Sequence, residues 1–448
     1  MTASAEETPL GAGPTLARRL GLFDATMIVM GGIIGAGIFV NPSVVARQVH
    51  TPGLVLGAWI IGGAIALIGA FVYAELAALR PRVGGQYAYL RDAYHPIVAF
   101  LYGWTLLLVV QTGGMAGAAI IFGRYFRDLT GLGVPEQVLA ASTLGILTII
   151  NCVGVRAGSN VQSALMLTKL AAIGILIVVG LFGVTHPVTT TRATANAGDS
   201  GGAIGLATAM VPVLFAYGGW QTASFVSGEM RDPRRDLPRG LLIGVIAVIV
   251  LYLSVTWVCL NVLGVDGLAS TKTPASDVMR MALGERGARV LALGIAISTV
   301  GFLSQSILTA PRVYYAMARD GVFFKVVGTL GERSRVPVVA IVLQGVWAAA
   351  IALTGKYDQI LNYVVAIDVL FFGLTGASLI VFRAREGPPR DAVRVPLHPV
   401  TTGLFVLACW AISVTTVLHD PANAGIGVGI LLIGVLVYQF WKTRPSAA

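Results

Sequence analysis

The sequence predicts an all-α integral membrane protein of twelve transmembrane helices. Three observations carry this. Charged residues are only 12% of 448, where soluble domains hold roughly a quarter; apolar types reach 56% and the mean hydropathy is +0.81. The apolar residues fall in stretches long enough for a helix to cross about 30 Å of hydrocarbon, which takes roughly 20 residues. Those stretches do not alternate polar and apolar residues, so the period of a membrane β-barrel is missing. Helices remain, because backbone groups in lipid must bond internally.

Ten stretches hold no Asp, Glu, Lys or Arg: 25–46, 54–74, 95–123, 137–155, 200–228, 240–265, 290–311, 336–355, 395–419 and 421–441. Two more hold one charge each, 157–183 with Lys169 and 359–382 with Asp368. Ahead of the first span, Glu6, Glu7, Pro9 and Pro14 interrupt any short apolar leader, so residues 1–20 are expected as a tail and the first span as a retained anchor. The polar connections near 184–202, 266–287, 318–335 and 383–394 are expected as loops within one transmembrane domain covering 1–448.

The net charge of +10 raises nucleic acid as a partner, and its distribution answers otherwise. Of the 31 Lys and Arg, 21 fall on one set of alternate loops and tails, 9 on the other, and Lys169 inside a span. This is the positive-inside bias. It predicts a multi-pass protein of the cell inner membrane with both termini cytoplasmic, its basic loops facing lipid headgroups. Cys152, Cys259 and Cys409 lie in or at the ends of apolar spans, and the five histidines show no paired spacing. No disulfide, metal or cofactor is therefore expected.

Glycine is the informative residue, with 55 copies. Gly53 with Gly57, Gly113 with Gly117 and Gly425 with Gly429 are small-xxx-small pairs that predict close helix packing. Two further clusters lie well inside spans. The first span reads Gly31-Gly32-Ile33-Ile34-Gly35-Ala36-Gly37-Ile38-Phe39, and the sixth reads Phe215-Ala216-Tyr217-Gly218-Gly219-Trp220 after Pro212. Glycine costs a helix interior about 1 kcal/mol against alanine, and proline more. Both sites are expected as breaks, the device that secondary transporters use in two repeated halves. Tyr217 follows Gly35 by 182 residues, or five spans. That spacing fits two five-helix repeats of opposite orientation, 21–183 and 200–384, with two added helices in 395–441.

An opened helix frees N–H groups that attract anions and carbonyls that attract ammonium groups. Glycines of the first break are thus suited to a carboxylate and carbonyls of the sixth to an α-ammonium, which recognises a zwitterionic amino acid without a charged side chain. A nucleotide-type glycine loop would need a strand before it and a soluble βαβ setting, and neither is present.

These residues resemble a known family. Gly32-Ile33-Ile34-Gly35-Ala36-Gly37-Ile38-Phe39 is similar to the first-helix signature of the amino acid–polyamine–organocation superfamily. Phe215-Ala216-Tyr217-Gly218-Gly219-Trp220, with Gly228-Glu229-Met230, Asp232-Pro233, Leu237-Pro238 and Asn151-Cys152-Val153-Gly154-Val155-Arg156, resembles its L-type amino acid transporter branch. The resemblance spans nearly the whole chain and implies a leucine-transporter-like 5+5 inverted repeat with helices 1 and 6 broken. It places carboxylate contacts on Ile34, Gly35, Ala36 and Gly37. Ammonium contacts fall on Ile33 and the carbonyls of Phe215, Ala216 and Gly218, with Phe215 as aromatic gate and Trp220 as a packing or gating aromatic. Ala36 stands where many relatives carry Ser, and Gln221 where many carry Asn, which puts a side-chain contact at each in doubt. Animal members attach to a heavy chain through a cysteine between helices 3 and 4. Residues 124–136 contain none, so no disulfide-linked heavy chain is expected.

Two charges lie at mid-span. Inserting a central lysine costs about 2.5–3.5 kcal/mol, so Lys169 needs carbonyl or carboxylate neighbours, for which the opened first helix is a source. In the resembling family a helix 5 lysine stands where sodium-coupled relatives hold Na⁺, which implies sodium-independent transport with Lys169 as the coupling residue; an amine there can also take up and release a proton. Asp368 is expected to pair with a polar neighbour such as Gln305 or Gln344, the other readings being a cation partner or a proton relay. Glu75 is expected at the interface near Arg80 and Arg82, the Glu229–Arg239 stretch as a solvated loop, and Tyr87, Tyr89 and Trp104 as belt or packing residues. The whole reads as a secondary transporter of neutral L-amino acids, by exchange or proton symport. The alternatives are a cationic amino acid or polyamine carrier and a non-transporting amino acid sensor. With no clustered catalytic set, an enzyme is not expected.

Overall fold

Proline opens six of the helices, at Pro52, Pro96, Pro233, Pro274, Pro311 and Pro421. At a first helical position its missing N–H would have had no partner anyway and its fixed φ suits the helix. The computed structural model describes residues 20–80, 84–153, 159–183, 201–331, 336–389 and 393–442. The expected tail over 1–19, the connection over 184–200, the Gly154-Val155-Arg156 end of one motif, and Arg82, Arg333, Arg335, Arg390 and Arg444 lie outside the described residues.

In chain order the helices are α1 (Leu22–Ile33), α2 (Asn41–Val49), α3 (Pro52–Leu79), α4 (Gln86–Ala93), α5 (Pro96–Thr105), α6 (Gln111–Thr130), α7 (Glu136–Cys152), α8 (Ser159–Phe182) and α9 (Gly201–Tyr217). They continue as α10 (Thr222–Phe225), α11 (Pro233–Ser270), α12 (Pro274–Thr309), α13 (Pro311–Arg319), α14 (Val338–Thr354), α15 (Tyr357–Glu386), α16 (Val400–His419) and α17 (Pro421–Lys442). A short π-helical stretch, Leu106–Val110, joins α5 to α6. Among the described residues there is no strand, only an isolated bridge between Leu20 and Met230. Eight helical stretches are long and apolar enough to cross a membrane: Pro52–Leu79, Pro96–Thr130, Leu165–Phe182, Pro233–Ser270, Pro274–Arg319, Tyr357–Glu386, Val400–His419 and Pro421–Gln439. Four shorter apolar helices are Leu22–Ile33, Glu136–Cys152, Ile204–Tyr217 and Val338–Thr354. Two of these four, in α1 and α9, end at the glycine clusters.

Packing sorts the helices into two groups. In one, α11 packs on α3 and α1, and α9 on α2 and α3; in the other, α6, α7, α12 and α14 pack on one another. Helix α15 touches both, through α6 on one side and α3 and α9 on the other, and α16 and α17 pack on α15.

Three expectations are corrected. The segment 266–287 is not an open loop: α11 runs to Ser270 and α12 begins at Pro274. The chain bends instead at Gly264 and Gly284, with φ of 67° and 68°, values that glycine adopts without steric cost. Glu75 is not interfacial. It is fully buried, accepting from Arg383 Nε at 2.6 Å and Nη2 at 2.7 Å and from the Val395 N–H at 2.7 Å. A buried carboxylate persists where such bonds compensate its lost hydration. Of the three small-xxx-small pairs, only Gly113 and Gly117 face neighbours that a side chain would meet; Gly53, Gly57, Gly425 and Gly429 have open space where a Cβ would stand.

Candidate functional site

The break in the first span begins where the glycines end α1. Ile34, at φ −75° and ψ 84°, leaves the helix, and its N–H makes the last helical bond to Met30 O at 2.7 Å. The Gly35 N–H turns back to Ile33 O at 2.8 Å. A 3₁₀ turn, Gly37–Phe39, then leads into α2. Across Gly35 to Val40 the helical ladder is absent. Among the described residues the N–H groups of Ala36, Gly37 and Ile38 find no backbone acceptor.

Two side chains from other helices take up the freed carbonyls. Lys169 of α8, 2% exposed, donates from Nζ to Ile34 O in a short bond. Tyr252 of α11 donates from Oη toward Ile33 O at 3.0 Å and Ala216 O at 3.3 Å, so one phenol joins the two breaks.

In the sixth span α9 ends at Tyr217, and four residues of turn precede α10. Gly219 has φ 109°, a conformation that disfavours any side chain. Its N–H donates to Gln221 Oε1 at 2.9 Å, and its carbonyl accepts from the Thr222 hydroxyl at 2.7 Å. The breaks are in backbone contact: a Cβ on Gly32 would stand 2.7 Å from Gly219 O, and one on Gly219 would collide with Gly32 O. Both positions are glycine because the chains approach too closely for anything larger. Asn41 at the start of α2 adds a tie to α9, donating to Pro212 O at 2.7 Å and accepting from Tyr357 Oη at 2.8 Å.

A cavity lies between the breaks. Of the eight residues expected to bind substrate, Ile33, Gly35, Ala36, Gly37, Phe215, Ala216 and Gly218 line it. Ile34 is not among the lining residues and is fully buried, with N–H and carbonyl engaged by Met30 and Lys169. Phe215 stands edge-on to Tyr357, ring centroids 6.1 Å apart, and a Cβ on Gly117 would stand 3.4 Å from its Cζ. Trp220 stays outside the lining. It is buried, stacked on Phe372 at 4.8 Å and edge-on to Tyr73 at 6.4 Å.

Of the rest of the wall, the sequence singles out Asp368 and Gln221, but no other of the residues that follow. Helix α6 contributes Gln111, Gly114, Ala118 and Ile121, and α12 contributes Phe302 and Ser306. Helix α15 contributes Val365, Asp368, Val369 and Phe372, the i, i+3, i+4, i+7 stripe of one helical face. Such faces are legible once a helix's neighbours are known. Tyr252 has a signal in the sequence, a phenol in the otherwise aliphatic run Val248 to Leu253. The expected pairing of Asp368 with Gln305 or Gln344 is not found. Gln305 donates to Ile28 O, Gln344 to Ser306 O and to Met115 Sδ, and Asp368 Oδ1 is buried with no hydrogen-bond partner. Of the belt and packing readings, packing is what Tyr87 and Tyr89 show, both being buried; Tyr87 also bonds Asp320 at 2.9 Å and Trp104 bonds Ile430 O at 2.9 Å. Glu229 is less solvated than expected, with Arg312 Nε at 3.4 Å.

Comparison with known proteins shows what the chain is similar to. A family model described as amino acid permease matches residues 20–438. The "Large neutral amino acids transporter small subunit 2" of Homo sapiens is 32% identical over 461 residues, covering 99% of this chain and 84% of its own length. The "b(0,+)-type amino acid transporter 1" of Homo sapiens is 30% identical over 437 residues, covering 95% and 88%. The "Serine/threonine exchanger SteT" of Bacillus subtilis is 28% identical over 437 residues, covering 96% and 98%.

Proposed function

The chain belongs to the amino acid permease family, and from that premise we propose that it is a secondary transporter of neutral L-amino acids working by alternating access. It is a carrier and not an enzyme, and it sits in the cell inner membrane with both termini cytoplasmic. The observation that carries the reading is the pair of helix breaks facing one cavity, where seven of the eight residues expected from the sequence meet. Unpaired N–H groups of Ala36 and Gly37 suit a carboxylate, and carbonyls of Phe215, Ala216 and Gly218 suit an ammonium, a few ångströms apart.

The eight long and four short apolar helices support twelve spans. Helix partners support the 5+5 repeat: α3 packs on α11, α6 on α12, α7 on α14 and α2 on α9, each a pairing of one span with the span five further on. Access alternates as the group built on α1, α3, α9 and α11 rocks against the group of α6, α7, α12 and α14. Lys169 couples this motion to the site by holding the Ile34 carbonyl where a cation would otherwise serve, making transport sodium-independent, as exchange or proton symport.

Uptake of labelled alanine or leucine into proteoliposomes, without sodium, tests the reading. Flux that unlabelled neutral amino acids suppress is expected, and its absence overturns the proposal. Asp368 in the cavity wall favours a second reading, a cationic amino acid or polyamine carrier. Suppression by arginine or putrescine alone would establish that reading instead.

A further inference from the structure

Asp368 is the single charged residue among those described as lining the cavity. At the sixth-span break, Gln221 Oε1 and the Thr222 hydroxyl both bond Gly219. The same cavity wall holds Val364, Val365, Val369, Phe302 and Phe372 with the polar side chains of Gln111 and Ser306, and behind it the buried hydroxyls of Tyr73 and Tyr102 have no partner. Asp368 Oδ1 is also buried without a partner, and a polar oxygen removed from water without a hydrogen bond is costly. Its Oδ2 lies 3.9 Å from where a Cβ on Gly218 would stand, so the carboxylate is held over the unwound segment rather than at the far end of the cavity.

We infer that Asp368 reads the β-position of the substrate, so that the cavity selects L-amino acids carrying a hydrogen-bond donor on Cβ, the hydroxyl of serine or threonine. The inference rests on the carrier reading above. With the amino end of the ligand on the carbonyls of Phe215, Ala216 and Gly218, a donor one bond beyond Cβ reaches a carboxylate over Gly218. The charges of lysine and arginine extend roughly 6 Å from Cα by bond lengths alone and pass it. An apolar isostere leaves the carboxylate unpaired. Sites built to hydrogen-bond a ligand reject the analogue that lacks the group far more strongly than apolar pockets sort by size.

The test uses the full chain in detergent and in proteoliposomes, comparing threonine with valine and serine with alanine, each pair matched in shape. Threonine is expected to bind about tenfold or more tighter than valine. Asp368→Leu brings that ratio close to one. Asp368→Asn, which keeps an acceptor, retains most of the threonine preference but removes the advantage that 2,3-diaminopropionate, with an ammonium on Cβ, shows over serine. Size exclusion and thermal unfolding check that the variants fold; if Asp368→Leu does not, the wild-type ratio and Asp368→Asn decide. A wild type that binds both members of each pair equally overturns the inference, as does an unmoved ratio in Asp368→Leu or an unmoved diaminopropionate advantage in Asp368→Asn. Lysine outcompeting threonine does the same. If no amino acid binds or enters, the carrier reading falls as well, which separates the two failures.

Discussion

The two helix breaks solve one problem with different means. At the first, the carbonyls of Ile33 and Ile34 are satisfied by Tyr252 and Lys169, side chains from α11 and α8, far along the chain. At the sixth, the Gly219 amide and carbonyl are satisfied by Gln221 and Thr222, within three residues. A locally capped turn holds its shape wherever its helix goes. A turn capped by distant helices holds its shape only while those helices stay in place. The first break therefore depends on distant helices for both carbonyls, while the sixth holds its Gly219 turn locally and leans on α11 only through Ala216 O.

Substitutions can break or sharpen this contrast. The largest effect is expected at the contact shared by both breaks. Gly219→Val meets a φ of 109°, worth about 1–3 kcal/mol of strain, and collides with the Gly32 carbonyl. Loss of ligand-induced thermal stabilisation, by about a hundredfold in affinity or through failure to fold, is expected; wild-type stabilisation would mean that the two backbones are not in contact. Next is Lys169→Ala. It strips Ile34 O of its donor, at about 1–3 kcal/mol, and removes a central ammonium that costs about 2.5–3.5 kcal/mol to bury. The terms nearly cancel, so the unfolding temperature should change little while uptake falls more than tenfold. Unchanged uptake and pH dependence would take away the coupling role. Tyr252→Phe follows. It removes one hydroxyl from two carbonyls, about 1 kcal/mol, which is about fivefold in substrate affinity. Gln221→Ala is expected to be smallest, about twofold, because neighbouring turn bonds remain. Should Gln221→Ala cost more than Lys169→Ala, the contrast between remote and local capping is reversed.

How much of this was legible beforehand depends on which interaction carries each feature. Eight of the expected spans were readable because bilayer thickness fixes their length, and both breaks were readable because glycine in mid-helix has a known cost. Lys169 was readable for the same kind of reason, since an ammonium at mid-span demands an acceptor and the opened α1 offers one. Connections were less legible. The 266–287 segment is polar, yet most of it is helix, because polarity marks exposure to water and not the absence of hydrogen bonding. Glu75 looked interfacial beside Arg80, but its partner Arg383 is 308 residues away, and no local pattern encodes that. On α15 the mid-span charge of Asp368 was legible, but not the face of Val365, Val369 and Phe372 around it, because apolar residues on every side of a helix do not say which stripe meets the cavity. Gly53, Gly57, Gly425 and Gly429 show the converse, a spacing that permits close approach where the chain makes none.

The phenol that joins the breaks carries one proton and faces two carbonyls. A hydroxyl donates once, and Ile33 O already accepts from the Gly35 N–H, so when the phenol serves Ile33 it is Ala216 O that goes without this donor. A ligand ammonium entering the cavity can take that vacancy and, by doing so, decide which way Tyr252 points. On the proposed function, loading and unloading would then be a handover in which Ala216 O passes between the phenol and the cargo.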